Sequence, residues 1–258
     1  MGSNPPHVPD RALEAPKSAA ALVVGNEILS GKVEEANLVV LARFLRGHGI
    51  ELRRAELVLD DIDTIARAAA SLAKAHDWVF TSGGVGPTHD DVTIQAVAQA
   101  FGVGVVTHPD LRHMLEIHYG ERLNDGHLRM ALVPEGAHLE STAEVKWPVV
   151  RLANVWMLPG IPEIFRMKLA VLEAKLPRGV AYVSHAVYTR LEESDIKPLL
   201  DVVVGAFPDV FVGSYPKWTA ELGYRTKLTF DGRNEARVIA ARDAFARALP
   251  PGEPAALD

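Results

Sequence analysis

WVFTSGGVGPTHDDVT, residues 78–93, is the stretch on which the reading of this chain turns. Trp78, Val79 and Phe80 read as a short buried strand that runs into a glycine turn at Gly83, Gly84 and Gly86. Beyond the turn Ile94, Val97, Ala98 and Phe101 recur at helical spacing until Gly102 stops the run. A strand, a glycine turn and a helix N-terminus together make a cradle for anions. Bare amides donate to phosphate oxygens, and glycines let a ligand approach the main chain closely. Asp90 and Asp91, placed where the helix starts, point to a divalent cation such as Mg²⁺, because carboxylates and phosphates repel unless a cation is shared between them.

The same residues have a purely geometric reading. Glycine turns join strands to helices in many α/β proteins, and Asp90 or Thr93 at a helix start is a common cap. Pro87, Thr88, the doubled aspartate and Thr93 around the glycines favour the ligand reading. The phosphate-binding scheme is not one of the two commonest: no Gly-Lys-Ser/Thr follows the turn, and His89 stands where a dinucleotide fingerprint has its third glycine.

Outward from this stretch the chain alternates strands and helices. Ala19–Val24 reads as a buried strand ending in a polar loop at Gly25, Asn26 and Glu27, and Leu38, Leu41, Phe44 and Leu45 mark a helix closed by Gly47 and Gly49. Ile50–Leu59 is a second strand, and Asp60 or Asp61 caps a helix whose inner face is Ile62, Ile65, Ala69 and Leu72. Past the central helix come a short strand at Val103–Thr107, a helix opened by Pro109, and a polar break at Asn124–Gly126. A helical turn at Leu128–Leu132 follows, then a hairpin of Pro148–Leu152 and Val155–Leu158 turning at Ala153 and Asn154, then a helix from Glu163 to Lys175. This order predicts an α/β fold, a three-layer, mostly parallel sheet with helices on both faces, with sites at the carboxyl ends of its strands, where Glu27 and Asp91 both fall. Pro177–Gly179 is the expected boundary. The tail reads as a small α+β module: a strand at Tyr182–Arg190, a helix capped by Ser194, strands at Val210–Tyr215 and Tyr224–Phe230, and a helix at Glu235–Leu249. The expected domains are a flexible arm at 1–17, an α/β domain at 18–178 and the small module at 179–258.

Composition narrows the function classes. With 258 residues, 48% of them hydrophobic, the chain can bury a full core. A formal charge of −6 argues against a nucleic-acid or membrane-surface role, and no apolar run reaches membrane-spanning length. The absence of cysteine fits a reducing cytoplasm. The four prolines of residues 1–17, with no apolar core among them, suit an arm rather than a signal peptide. His108, His113 and His118 recur every five residues and so do not share one helical face as metal ligands would. Trp147, Trp156 and Trp218 read as packing residues.

Residues 22–45, LVVGNEILSGKVEEANLVVLARFL, taken with TSGGVGPTHDDVT, resemble the CinA-like branch of the molybdopterin-binding (MoaB/Mog-type) fold family. MALVPEGA at 130–137, MLPGIPE at 157–163 and VGSYPKW at 212–218 resemble the same branch, and the hairpin run before MLPGIP is also similar to the corresponding domain of eukaryotic FAD synthases. Two departures stand out: Glu35 where the family usually has Asp, and a stretch from Ser141 to Trp147 without the usual Asn and APG-like segment. The deamidase domain of longer CinA proteins has no counterpart in these residues, so that activity is not expected.

The resemblance implies metal-dependent hydrolysis of the pyrophosphate in ADP-ribose or FAD-like dinucleotides, or else binding or adenylylation of molybdopterin, or ligand binding without turnover. It implies roles for individual residues. Gly83, Gly84, Gly86 and Pro87 hold phosphate, with Thr88 and Thr93 as donors. Asp90, Asp91 and Glu35 hold a Mg or Co ion, with Asp91 and Glu27 catalytic, and Asn26, Asn37 and Gly160 touch substrate. The implied partners are a small nucleotide or pterin and further copies of the chain, as a homodimer or homotrimer.

Overall fold

The computed structural model describes residues 15, 17–217 and 223–258, so Trp218 and nearly all of the predicted arm lie outside the described residues. The chain folds as two compact units, one holding Ile50–Leu176 with the chain up to Leu41, the other Pro177–Asp258 with Ala42–Gly49.

The larger unit runs β1 (Lys17–Val24), α1 (Asn26–Leu29), the start of α2 (Asn37–Gly47), whose residues from Ala42 on count with the other unit, β2 (Ile50–Val58), α3 (Ile62–Ala75), β3 (Trp78–Ser82) and α4 (Thr93–Phe101). It continues through β4 (Val105–Thr107), α5 (Pro109–Tyr119), α6 (Asp125–Arg129), β5 (Leu132–Pro134), β6 (His138–Glu140), β7 (Val149–Leu152), β8 (Val155–Leu158) and α7 (Pro162–Lys175). Its six-stranded sheet has the order β2-β1-β3-β8-β7-β6. The first four strands are mutually parallel, and β7 and β6 extend the edge antiparallel, so the sheet is mixed as well as mostly parallel. After β1 the chain steps outward to β2 and then crosses back over β1 to β3. Right-handed crossovers in opposite directions carry α2 and α3 to opposite faces of the sheet. Burial agrees: Ala20, Leu22 and Val24 pack with Ile65, Ala69 and Leu72 of α3 and Val97 of α4, while Ala19, Ala21 and Val23, which alternate to the other face, are as deeply buried. The reversal places a topological switch point at the carboxyl ends of β1 and β3, the position where open α/β sheets have their ligand crevice.

Local chemistry explains most element ends. Asp61 accepts from the Thr64 amide at 2.8 Å and caps α3, Gly102 ends α4 in the left-handed conformation, and Pro109 opens α5. Ala153 takes a positive φ of 49° at the β7–β8 turn, held by Asn154, whose Nδ2 donates to the carbonyls of Ala73 and His76. Several expectations need correction. Ile62 is 36% exposed at the start of α3 rather than on its inner face. The polar loop after β1 contains the single turn α1, and the helical turn expected at Leu128–Leu132 forms earlier, as α6 nucleated by the Asn124 capping box, with β5 taking the apolar residues that follow. β4 pairs with β5 in a separate two-stranded ladder instead of joining the main sheet. Strand β6 was not expected at all.

The smaller unit comprises β9 (Val183–Thr189), α8 (Glu193–Ala206), β10 (Phe211–Pro216), β11 (Thr226–Gly232), α9 (Glu235–Ala248) and β12 (Ala256–Leu257). Its antiparallel sheet, ordered β10-β11-β9-β12, packs Val187, Leu228 and Phe230 against Ile196 and Val203 of α8 and Val238, Ala241 and Phe245 of α9. Ser194 lies inside α8 rather than capping it. Among the described residues, no helix is long and apolar enough to cross a membrane.

Candidate functional site

Three strand ends meet in the crevice. The amide of Gly83, after β3, donates to Leu158 O at the end of β8, and a side chain on Gly83 would collide with the carbonyl of Val24 at the end of β1. A Cβ on Gly160 would lie 3.3 Å from the Cα of Gly83. Gly83 and Gly84 take φ values of 104° and 69°, which side chains resist, and Gly84 is closely covered by Thr93. Glycine is therefore required here for packing as much as for any ligand. Asn37, at the start of α2 and only 4% exposed, ties the ends together: its Nδ2 donates to Ser82 Oγ at 2.9 Å and to Gly160 O at 2.7 Å. Its Oδ1 is buried and has no hydrogen-bond partner among the described residues.

Each predicted residue now has a place. Glu27 is exposed on α1, its carboxylate folded over Gly25, where an added Cβ would lie 2.5 Å from Oε1. Asn26 exchanges two hydrogen bonds with Asp60, its amide donating to Oδ2 at 2.8 Å and its Oδ1 accepting from the Asp60 amide at 3.3 Å. Its oxygen is thus engaged by the chain. Asp91 lies over Gly86, with Oδ2 taking the Thr88 amide at 2.8 Å and the Thr88 hydroxyl at 2.5 Å. Pro87, Thr88 and Asp90 are exposed on the same turn. Asp90 is held below the usual carboxylate range, first by the Thr88 hydroxyl beside it, then by its own backbone amide and by His89.

Three roles are revised. Thr93 is fully buried, its hydroxyl donating to Gly83 O at 2.8 Å and its amide to Gly84 O at 2.9 Å, so it latches the glycine turn to α4 instead of facing phosphate. The Thr88 hydroxyl is directed at Asp91 in the same inward way. Glu35 caps α2: its two oxygens accept from the amides of Asn37 and Leu38, each at 2.9 Å, a structural role beside the metal role expected of it. Asp90 does not cap α4 either, since α4 starts at Thr93 after Val92.

The donor set defines which metal arrangement fits. Among the described residues no three His, Asp or Glu side chains converge as a metal cage. Asp90, exposed, and Asp91, whose Oδ1 takes no hydrogen bond among the described residues, fit an ion that brings phosphate and water oxygens with it and takes one or two carboxylates from the protein, as Mg²⁺ characteristically does.

A parallel sheet with this crevice at its switch point defines a class of ligand-binding α/β domain, and comparison identifies which. The chain belongs to the molybdopterin-binding domain family: the family described as "Probable molybdopterin binding domain" matches residues 20–178, and "FAD synthase, middle domain" matches residues 181–257. It is 31% identical to a "Probable FAD synthase" of Caenorhabditis elegans over 93% of this chain, and spans 51% of that protein's length. It is 30% identical to protein Ta0487 of Thermoplasma acidophilum, over 90% of this chain and 94% of the relative. A crystal structure of CinA, of unknown function, from Thermoplasma acidophilum superposes with a TM-score of 0.57 at 32% identity, covering 62% of this chain and 99% of that one. The protein is thus a CinA-like protein with the molybdopterin-binding fold, related to FAD synthases.

Sequence reasoning overlooked Asp60, read only as a possible cap, and Arg129, placed inside the helical turn expected at Leu128–Leu132. Arg129 Nη2 reaches Asp91 O at 3.5 Å.

Proposed function

We propose that the protein is a metal-dependent pyrophosphatase acting on ADP-ribose or FAD-like dinucleotides. The observation that carries this reading is the close main-chain junction of Val24, Gly83 and Gly160, with the carboxylates of Glu27, Asp90 and Asp91 on the loops that leave it. It combines close main-chain access for a diphosphate with groups able to hold a cation and take a proton. Gly83, Gly84 and Gly86 line the approach of the phosphates. Asp90 and the Oδ1 side of Asp91 hold the Mg or Co ion, which supplies charge neutralisation on the diphosphate. The Glu27 carboxylate accepts a proton from water as its oxygen bonds to the adenylate phosphorus. The bridging P–O bond breaks, giving AMP and the second phosphate monoester. Asn37 Oδ1 accepts a hydrogen bond from bound ligand or water.

A second reading, binding or adenylylation of molybdopterin, draws on the family match over residues 20–178. Under either reading we expect a cytoplasmic homodimer or homotrimer. The discriminating experiment incubates the protein with ADP-ribose or FAD, with Mg²⁺, Co²⁺ or a chelator. AMP formed only with metal supports the hydrolase, whereas molybdopterin binding without AMP from any dinucleotide moves the assignment to the pterin.

A further inference from the structure

Arg129 closes α6, a short helix that leans on the phosphate turn: a Cβ on Gly126 would lie 3.8 Å from Pro87 O. Among the described residues its Nε, shielded from water, has no hydrogen-bond partner, and the hydrogen bond its side chain makes, from Nη2 to Asp91 O, is stretched to 3.5 Å. No carboxylate among the described residues forms an ion pair with it. Comparable arginines of this unit are paired: Arg151 donates to Glu140 at 2.8 Å and Arg112 to Glu116 at 2.8 Å. A guanidinium stays charged at any ordinary pH, so withdrawing part of it from water without an anion costs stability. An anion arriving at the turn reverses that cost.

The surrounding sequence makes the same demand. Residues 75–111 contain no lysine or arginine, although the turn carries Asp90 and Asp91. Lys32, on the loop after β1, is exposed and its charge is screened by water. We propose that Arg129 is the cationic contact of this site, donating from Nε and its outer nitrogens to phosphate oxygens of a diphosphate held on the Gly83–Asp91 turn. The proposal rests on the reading of that turn as a diphosphate cradle. Planar donors at a fixed spacing match phosphate oxygens in a way that a lysine does not.

Titration calorimetry of the full chain with Mg²⁺ and inorganic pyrophosphate, then with ADP, tests it. In R129Q the affinity for both falls at least about tenfold, with the melting temperature close to wild type, and R129K recovers part of the loss. R122Q, at an exposed arginine nearby, leaves affinity unchanged. Equal affinities in R129Q and wild type overturn the proposal and leave the pyrophosphatase reading standing if AMP still forms. Arginine-dependent pyrophosphate binding without AMP release supports the proposal and rejects the hydrolase. Wild-type protein that binds neither probe overturns both.

Discussion

The loops after β1 and β3 begin alike, with a glycine covered by an acidic side chain, Glu27 over Gly25 in one and Asp91 over Gly86 in the other. They use their remaining polar groups in opposite ways. After β1 the chain spends them on itself: Glu35 caps α2 with both oxygens, and Asn26 and Asp60 bond to each other. Glu27 and Glu34 are exposed on this loop and are left over. After β3 the inward work falls to the threonines, so Asp90 and half of Asp91 remain outward. Acidic residues beside glycines are thus no guide to chemistry by themselves. What distinguishes them is how many of their oxygens backbone amides from other residues already engage: both in Glu35, one in Asp91.

That contrast can be broken or sharpened. The largest effect is expected at the packing centre common to both loops: Gly83→Ala forces a Cβ into the carbonyl of Val24 at a φ of 104°, and should cost about 3 kcal/mol or more in urea unfolding. A loss below about 1 kcal/mol would mean the strand ends are looser than described.

Away from the loops, Lys168 tests what an enclosed charge costs this unit. It is 3% exposed, donates to the carbonyls of Trp147 and Pro148, and is held down to about 8 by burial. Between pH 8 and the ordinary lysine value of 10.5 the unfolded chain binds more protons than the folded one, so stability should rise across that window, by up to ~3 kcal/mol. Lys168→Met should remove that rise. An unchanged pH profile in the variant contradicts the burial account. A smaller effect belongs to the loop after β1: Glu35→Gln should cost about 1 kcal/mol of stability, with metal-dependent activity retained.

How much of this was legible depends on the range of the interaction. The glycine turn, the Asp61 cap, the hairpin turn at Ala153 and the alternation that gives the sheet are local, and sequence spacing reveals them. The destination of a side-chain oxygen is not local in the same sense. Glu35 finds amides two and three residues on, and the Thr88 hydroxyl finds Asp91, because the loops close in one of several ways that spacing leaves open. Strand β6 escaped because three residues with polar ends, His138–Glu140, carry no periodic signal until β7 is beside them. Arg129 escaped because its partner in space, the Asp91 carbonyl, is 38 positions away.

The most direct measurement is AMP release from ADP-ribose or FAD by wild-type protein, Asp91→Asn and Glu35→Gln, with Mg²⁺ or Co²⁺ and with a chelator. The account predicts metal-dependent AMP from wild type, similar release from Glu35→Gln, and at least a ~100-fold loss in Asp91→Asn with the fold intact. Full activity in Asp91→Asn, or loss in a folded Glu35→Gln alone, would contradict the division of labour between the two loops.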